Sequence, residues 1–143
     1  MLSVNDLMTA IPDTVTPQTT LRQVIEVMKS QGCRQLPVLR DGKLAGIITD
    51  RDVRLVMNSP LLLHGRWQDE EILDSMTAET CMTPDPMTVS PHTSAYQAAN
   101  MLSIYKFGAL PVVDNGELVG IITVTDFLNY FALQQPELID QGD

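Results

Sequence analysis

Apolar positions along the chain follow a helical rhythm, then a strand rhythm, then a helical one again, and the whole succession occurs twice. Leu21, Val24, Ile25 and Met28 stand at i, i+3, i+4 and i+7, with Thr19 or Thr20 as N-cap candidates and Gly32 as a stop. The runs Leu36–Leu39 and Leu44–Ile48 follow, divided by Asp41-Gly42. Asp-Gly between apolar runs predicts a hairpin, because both central residues of a type I′ turn need positive φ. A second helix is predicted from near Thr49 through Asp52-Val53-Arg54-Leu55-Val56. Ahead of all this lies Thr14-Val15-Thr16-Pro17, whose proline holds the preceding residue extended. The unit therefore reads strand, helix, strand, strand, helix.

A shift of 74 positions lays Met8–Val53 on Met82–Phe127 without a gap. About 18 of the 46 aligned positions are identical, against roughly three expected by chance. Leu36-Pro37-Val38 repeats as Leu110-Pro111-Val112, Gly46-Ile47-Ile48-Thr49 as Gly120-Ile121-Ile122-Thr123, and Asp52 as Asp126. The second hairpin turns on Asn115-Gly116, and its first helix keeps the spacing with Ala95, Ala98, Ala99 and Leu102, small side chains that predict close packing on that face. A lone unit of roughly 50–60 residues buries only about 60% of its unfolded surface. The two copies are therefore expected to pack together as one pseudo-twofold body, with function in the cleft between them. The expected boundaries are 1–57 for the first repeat, 58–75 for a connector, 76–133 for the second repeat and 134–143 for a polar tail. Trp67 reads as a clasp holding the connector to the body.

Composition narrows the functions available. With 44% hydrophobic and 19% charged residues the chain is globular. It has no apolar run near the roughly 18 residues of a membrane span, and its start lacks a signal-like pattern, so a cytoplasmic protein is expected with no membrane partner. The net charge of −9 is uneven: seven basic and six acidic residues up to Arg54, then two basic and twelve acidic. That balance argues against nucleic acid, which needs clustered Lys and Arg, and leaves most cations in the first repeat. Cys33 and Cys81 occupy non-matching positions without CxxC partners, so neither a disulfide nor a metal site with His64 and His92 is expected. No P-loop, dinucleotide fingerprint or nucleophile–base set is present, and no enzymatic activity is expected.

The repeated Thr-x-x-Asp of Thr49–Asp52 and Thr123–Asp126 carries the candidate chemistry. As a helix start it needs no ligand: Thr caps an orphan N–H, and Asp suits the positive first turn. A helix N-terminus is also an anion site, a Thr hydroxyl can donate to phosphate, and an ionised Asp can accept from both hydroxyls of a ribose. Both copies carry Asp where a capping box favours the longer Glu or Gln, which tilts the reading toward a ligand. The copies differ nearby: Arg34-Gln35 becomes Gly108-Ala109, and Asp50-Arg51 becomes Val124-Thr125. Unequal sites are expected, the Arg-rich one preferring phosphorylated ligand; the alternative is that Arg51 and Arg54 are solvated helix charges.

The Met8-Thr9 and Met82-Thr83 pairs, the Leu-Pro-Val strands, the two hairpin turns and the doubled Gly-Ile-Ile-Thr-x-x-Asp together resemble a tandem of cystathionine-β-synthase-type (CBS) domains, a Bateman module. The resemblance spans about Val4 to Phe131. It implies an α/β (α+β) fold of two β-α-β-β-α repeats packed through their sheets, and commonly a homodimer. It implies a regulatory ligand of the adenosyl class (AMP, ADP, ATP or S-adenosylmethionine), no required cofactor, and an unidentified regulated protein partner. On the positions that match, Asp52 and Asp126 would hold ribose and Thr49 and Thr123 phosphate. Ile47 and Ile121 would pack on adenine, Arg34 and Gln35 would reach phosphate, and Thr14 and Thr88 would lie near the base. Arg51 and Gly108 complete the two sets. The competing expectation is a structural interaction module whose clefts stay empty.

Overall fold

The computed structural model describes residues 1–57 and 66–134. They form, in chain order, α1 (Val4–Leu7), β1 (Thr9–Ala10), α2 (Leu21–Gln31), β2 (Gln35–Arg40), β3 (Lys43–Thr49) and α3 (Asp50–Met57). Then come α4 (Arg66–Ser75), α5 (Ala78–Cys81), β4 (Thr83–Pro84), α6 (Ala95–Tyr105), β5 (Ala109–Asp114), β6 (Glu117–Thr123) and α7 (Val124–Leu133). The described part of the connector is thus largely helix. The Trp67 side chain and the tail beyond Gln134 lie outside the described residues.

Local chemistry sets these boundaries. Thr20 caps α2: the Gln23 N–H donates to Thr20 Oγ1 at 3.2 Å, and Gln23 Oε1 accepts from the Thr20 N–H at 3.1 Å. Gly32 ends the helix at φ 66°, in the left-handed region that glycine enters without steric cost. The second copy places Lys106 there at φ 57°. Both hairpin turns have two positive φ values, 52° and 78° at Asp41-Gly42 and 51° and 79° at Asn115-Gly116, as type I′ requires.

Two compact units result, and they do not follow the order of the repeats. One is Pro12–Pro86; the other joins Met1–Ile11 to Met87–Asp143. Each contains a three-stranded antiparallel sheet, β2-β3-β4 in the first unit and β1-β6-β5 in the second. Each repeat therefore contributes its short leading strand to the other repeat's sheet: Thr9 pairs with Ile121, and Thr83 with Ile47. Equivalent hydrogen bonds anchor both exchanged segments, such as Ala78 N–H to Thr19 O and Val4 N–H to Thr93 O, each 2.8 Å. The extended segments before α2 and α6 make single parallel bridges, Val15 to Val38 and Val89 to Val112, and not full strands.

The first core gathers Leu21, Val24, Leu36, Val38 and Ile48, at or below 1% exposure. Burying each aliphatic side chain contributes about 1.5–3 kcal/mol. In the second core Val4 of α1 packs with Ala98, Leu102, Leu110, Val112 and Ile122. The small residues of α6 thus accommodate the exchanged α1, as their size predicts. Exchange also explains two glycines. A Cβ on Gly46 would lie 2.5 Å from Met82 Sδ and 2.8 Å from Thr83 O; on Gly120 it would meet Met8 Sδ at 2.5 Å and Thr9 O at 3.0 Å. Each central strand is bare where the exchanged methionine crosses it.

Candidate functional site

Two corners of the molecule share one construction. In the first unit, Gln35 pairs directly with Thr49 at the open end of the hairpin, and α3 starts at the next residue. The Asp50 N–H donates to Arg34 O at 2.8 Å, which holds Arg34 beside the helix N-terminus. Ile47 and Thr49 share a face of β3, since alternate strand residues point the same way. Thr14 precedes the Val15–Val38 bridge and so lies toward the Gln35 end of β2. In the second unit Ala109 faces Thr123, and Val124 N–H donates to Gly108 O at 3.1 Å. Thr88 precedes the Val89–Val112 bridge. The first corner thus collects Thr14, Arg34, Gln35, Ile47, Thr49, Arg51 and Asp52. The second collects Thr88, Gly108, Ile121, Thr123 and Asp126.

Each Thr and Asp closes a reciprocal cap. Thr49 N–H donates to Asp52 Oδ2 at 2.9 Å, and Asp52 N–H to Thr49 Oγ1 at 3.1 Å. Thr123 and Asp126 repeat the same two distances. Ser3 and Asp6 form such a box at α1 as well. Aspartate therefore reaches far enough to close the box, and its shortness relative to Glu is no argument for a ligand. What the geometry leaves is capacity. Among the described residues, Oδ1 of Asp52 and of Asp126 has no donor within hydrogen-bond range. Each Thr hydroxyl accepts in the cap and keeps its own hydrogen to donate. Both pairs are half-buried, whereas Thr14, Arg34, Arg51, Thr88 and Gly108 are exposed. Ile47 and Ile121 are nearly buried, at 9% and 7% exposure.

Charge separates the corners. Arg22 pairs with Glu70 and Asp74, Arg40 with Glu79, and Arg54 with Asp50 at 3.4 Å. Arg34 and Arg51 meet no carboxylate among the described residues. The first corner thus presents two uncommitted guanidiniums beside a helix N-terminus; the second presents Asp126 with none of its own. A cavity of about 180 Å³ beside the first corner is lined by Lys29, Cys33, Arg34 and Asp50 among others. It is smaller than the roughly 300–1,000 Å³ of sites that enclose a ligand. Among the described residues no cluster of His, Cys, Asp and Glu could hold a metal.

One neighbour escaped the sequence reading. Cys81 sits in the same unit as Asp52, brought there by the exchanged segment, and its thiol is pushed up by burial first and by the Asp52 charge second. Cys33 is likewise pushed up, by burial and then Asp13. Neither has the electropositive setting of a reactive cysteine.

These two corners belong to a known architecture. The family model described as CBS domain matches residues 4–59 and again 78–133. The chain belongs to the CBS-domain family, as a tandem pair with the mixed α and β fold of that class. A CBS domain-containing protein of Dictyostelium discoideum is 34% identical over 128 residues, 88% of each chain. The solved structure of AcuB from Vibrio cholerae superposes with TM-score 0.79 at 28% identity, covering 100% of this chain and 98% of that one. CBSX2 of Arabidopsis thaliana, solved in complex with AMP, superposes with TM-score 0.78 at 29% identity, covering 94% and 98%. No helix among the described residues is long and apolar enough to cross a membrane.

Proposed function

We propose that this protein is a non-catalytic regulatory module that binds an adenosyl nucleotide at its two Thr-x-x-Asp corners. Asp52 and Asp126 accept from ribose hydroxyls through Oδ1, and Thr49 and Thr123 donate to phosphate across the helix N-termini. Arg34 and Arg51 add charge at the first corner alone, with Gln35 beside them; Ile47, Ile121, Thr14 and Thr88 border the base. The observation that carries this reading is the pair of arginines left without carboxylates next to a capped helix start whose carboxylate has one oxygen to spare. The AMP complex of the similar CBSX2 supports the ligand class. With no reaction of its own, the module signals through a cytoplasmic protein partner, as a homodimer.

Isothermal titration with AMP, ATP, adenosine and S-adenosylmethionine tests it. We expect two unequal phases, the tighter one weakened roughly tenfold or more by Asp52→Ala through lost charge-assisted hydrogen bonds of about 1.5–3 kcal/mol each. Arg34→Ala should weaken AMP but not adenosine. Two identical, independent AMP sites would remove the inequality. An Asp52→Glu protein that binds as well as wild type would reduce the motif to its cap. No heat and no thermal shift with any adenosyl compound would leave an interaction module.

A further inference from the structure

The repeat supplies an internal control for the helices of the second unit. On α3, Asp50 and Arg54 form an i, i+4 ion pair at 3.4 Å, which suits a solvated helix face. The matching positions of α7 hold Val124 and Leu128, and Phe131 follows where α3 has Met57. Val124, Leu128 and Phe131 stand at i, i+4 and i+7, one stripe of α7, and are 43%, 63% and 66% exposed. Met57 packs against the first core, whereas no residue of α7 is fully buried.

Charge is missing from these two helices altogether. α6 has no charged residue, and α7 has only Asp126, which closes the cap. The equivalent helices of the first unit carry Arg22, Glu26 and Lys29 on α2 and Asp50, Arg51, Asp52 and Arg54 on α3. Tyr96, 78% exposed, stands where α2 has Arg22. It is continuous with the α7 stripe through Phe131, the two lining a groove of about 540 Å³ together with Ala99, Phe127 and Tyr130 among others. A helix apolar around most of its circumference is stable when it is covered.

We propose that this α6–α7 face meets the same face of a second copy of the chain across a twofold axis, second unit against second unit. The inference rests on the homodimer proposed above and adds which faces touch. Two arguments select that occupant. The first is charge. The chain carries a net charge of −9, so two copies repel over most of their surfaces, but a face without charge offers no repulsion to its own image. Docking the stripe on the first unit's helices instead would bury Asp50 and Arg54 under Val124 and Leu128, at the desolvation cost of both ions. The second argument is area. Tyr96, Val124, Leu128 and Phe131 alone present about 500 Å², more than half of the roughly 800 Å² that each partner brings to a stable interface.

Full-length protein, one half methyl-labelled and the other unlabelled, provides the test. Isotope-filtered nuclear Overhauser spectra should show Leu128 methyls of one chain against the Tyr96 or Phe131 ring of the other. In sedimentation, the exposed double substitution L128E/F131E should raise the dimer dissociation constant roughly a hundredfold or more while far-ultraviolet circular dichroism stays unchanged. A dimer whose filtered contacts run from Leu128 to Leu55 or Met57 is head to tail and overturns this inference while the homodimer stands. So does a dimer that L128E/F131E leaves as tight as the wild type. A wild type that sediments as a monomer at every concentration removes the homodimer and the inference together, and leaves the face to a different protein.

Discussion

Thr49–Asp52 and Thr123–Asp126 close their caps at identical distances, 2.9 and 3.1 Å, while the residues around them have diverged. One corner has Arg34, Gln35, Asp50 and Arg51; the other has Gly108, Ala109, Val124 and Thr125. The same split marks the helical faces: α4 covers the first, and exposed Tyr96 and Phe131 mark the second. Positions that fix the backbone are held by the geometry of strand end, cap and turn in both units. Positions that only face outward from that frame were open to change, and there the units acquired different electrostatics.

The sharpest way to break this picture of shared frame is to crowd the crossing points. Gly46→Ala should cost about 3 kcal/mol, because its Cβ would press on the Thr83 carbonyl as well as on Met82. Gly120→Ala should cost less, since Thr9 O stands 0.2 Å further off (3.0 against 2.8 Å) and Met8 can shift. Urea midpoints decide; equal and small losses would show that the exchanged segments are loosely seated.

A smaller difference lies just beyond those crossings. Ile11 and the matching Asp85 both have positive φ, 50° and 45°. A β-branched residue is strained there, whereas Asp tolerates the region. Ile11→Gly should therefore stabilise the protein by about 1 kcal/mol and Asp85→Gly by clearly less. Thermal denaturation that ranks the two the other way would refute the argument.

The least effect is expected in acid. Hydrogen bonds from Ser3 hold the Asp6 carboxyl below its usual range, and a hydrogen bond from Arg22 does so for Asp74. Both bind protons less tightly folded than unfolded, so what they add is complete above the ordinary value of 3.8 and is lost as pH falls through the lowered ones. Arg22→Gln should flatten the acid limb of stability from the first unit, and Asp6→Asn that from the second. Both groups are exposed, so the changes should be slight. An acid limb unchanged in both variants would remove these carboxylates from the account.

Much of this was legible in the residues themselves. Helix spacing, Gly32, the Asp-Gly and Asn-Gly turns and the Thr-x-x-Asp starts act over a few positions, so the chain alone placed α2, both hairpins and both caps. The cap argument went astray at one point, the reach of Asp, because side-chain length was weighed without the geometry by which Asp closes the box at the starts of α1, α3 and α7. The proximity of Cys81 to Asp52 was invisible for a different reason: the two lie in different repeats, and only the exchange brings them into one unit.

That exchange marks the boundary between what the sequence by itself determined and what tertiary structure decided. β3 and β6 carry the same Gly-Ile-Ile-Thr text, so the edges they offer to a leading Met-Thr segment are alike in hydrogen-bonding groups and in side chains. Local patterning specifies that such an edge is filled and that a glycine must stand under the methionine. It holds no information on which of two equivalent edges a segment takes. The choice rests on long-range packing, of Val4 against Ala98 and of Ala78 in the first core, and exists only once both units are assembled.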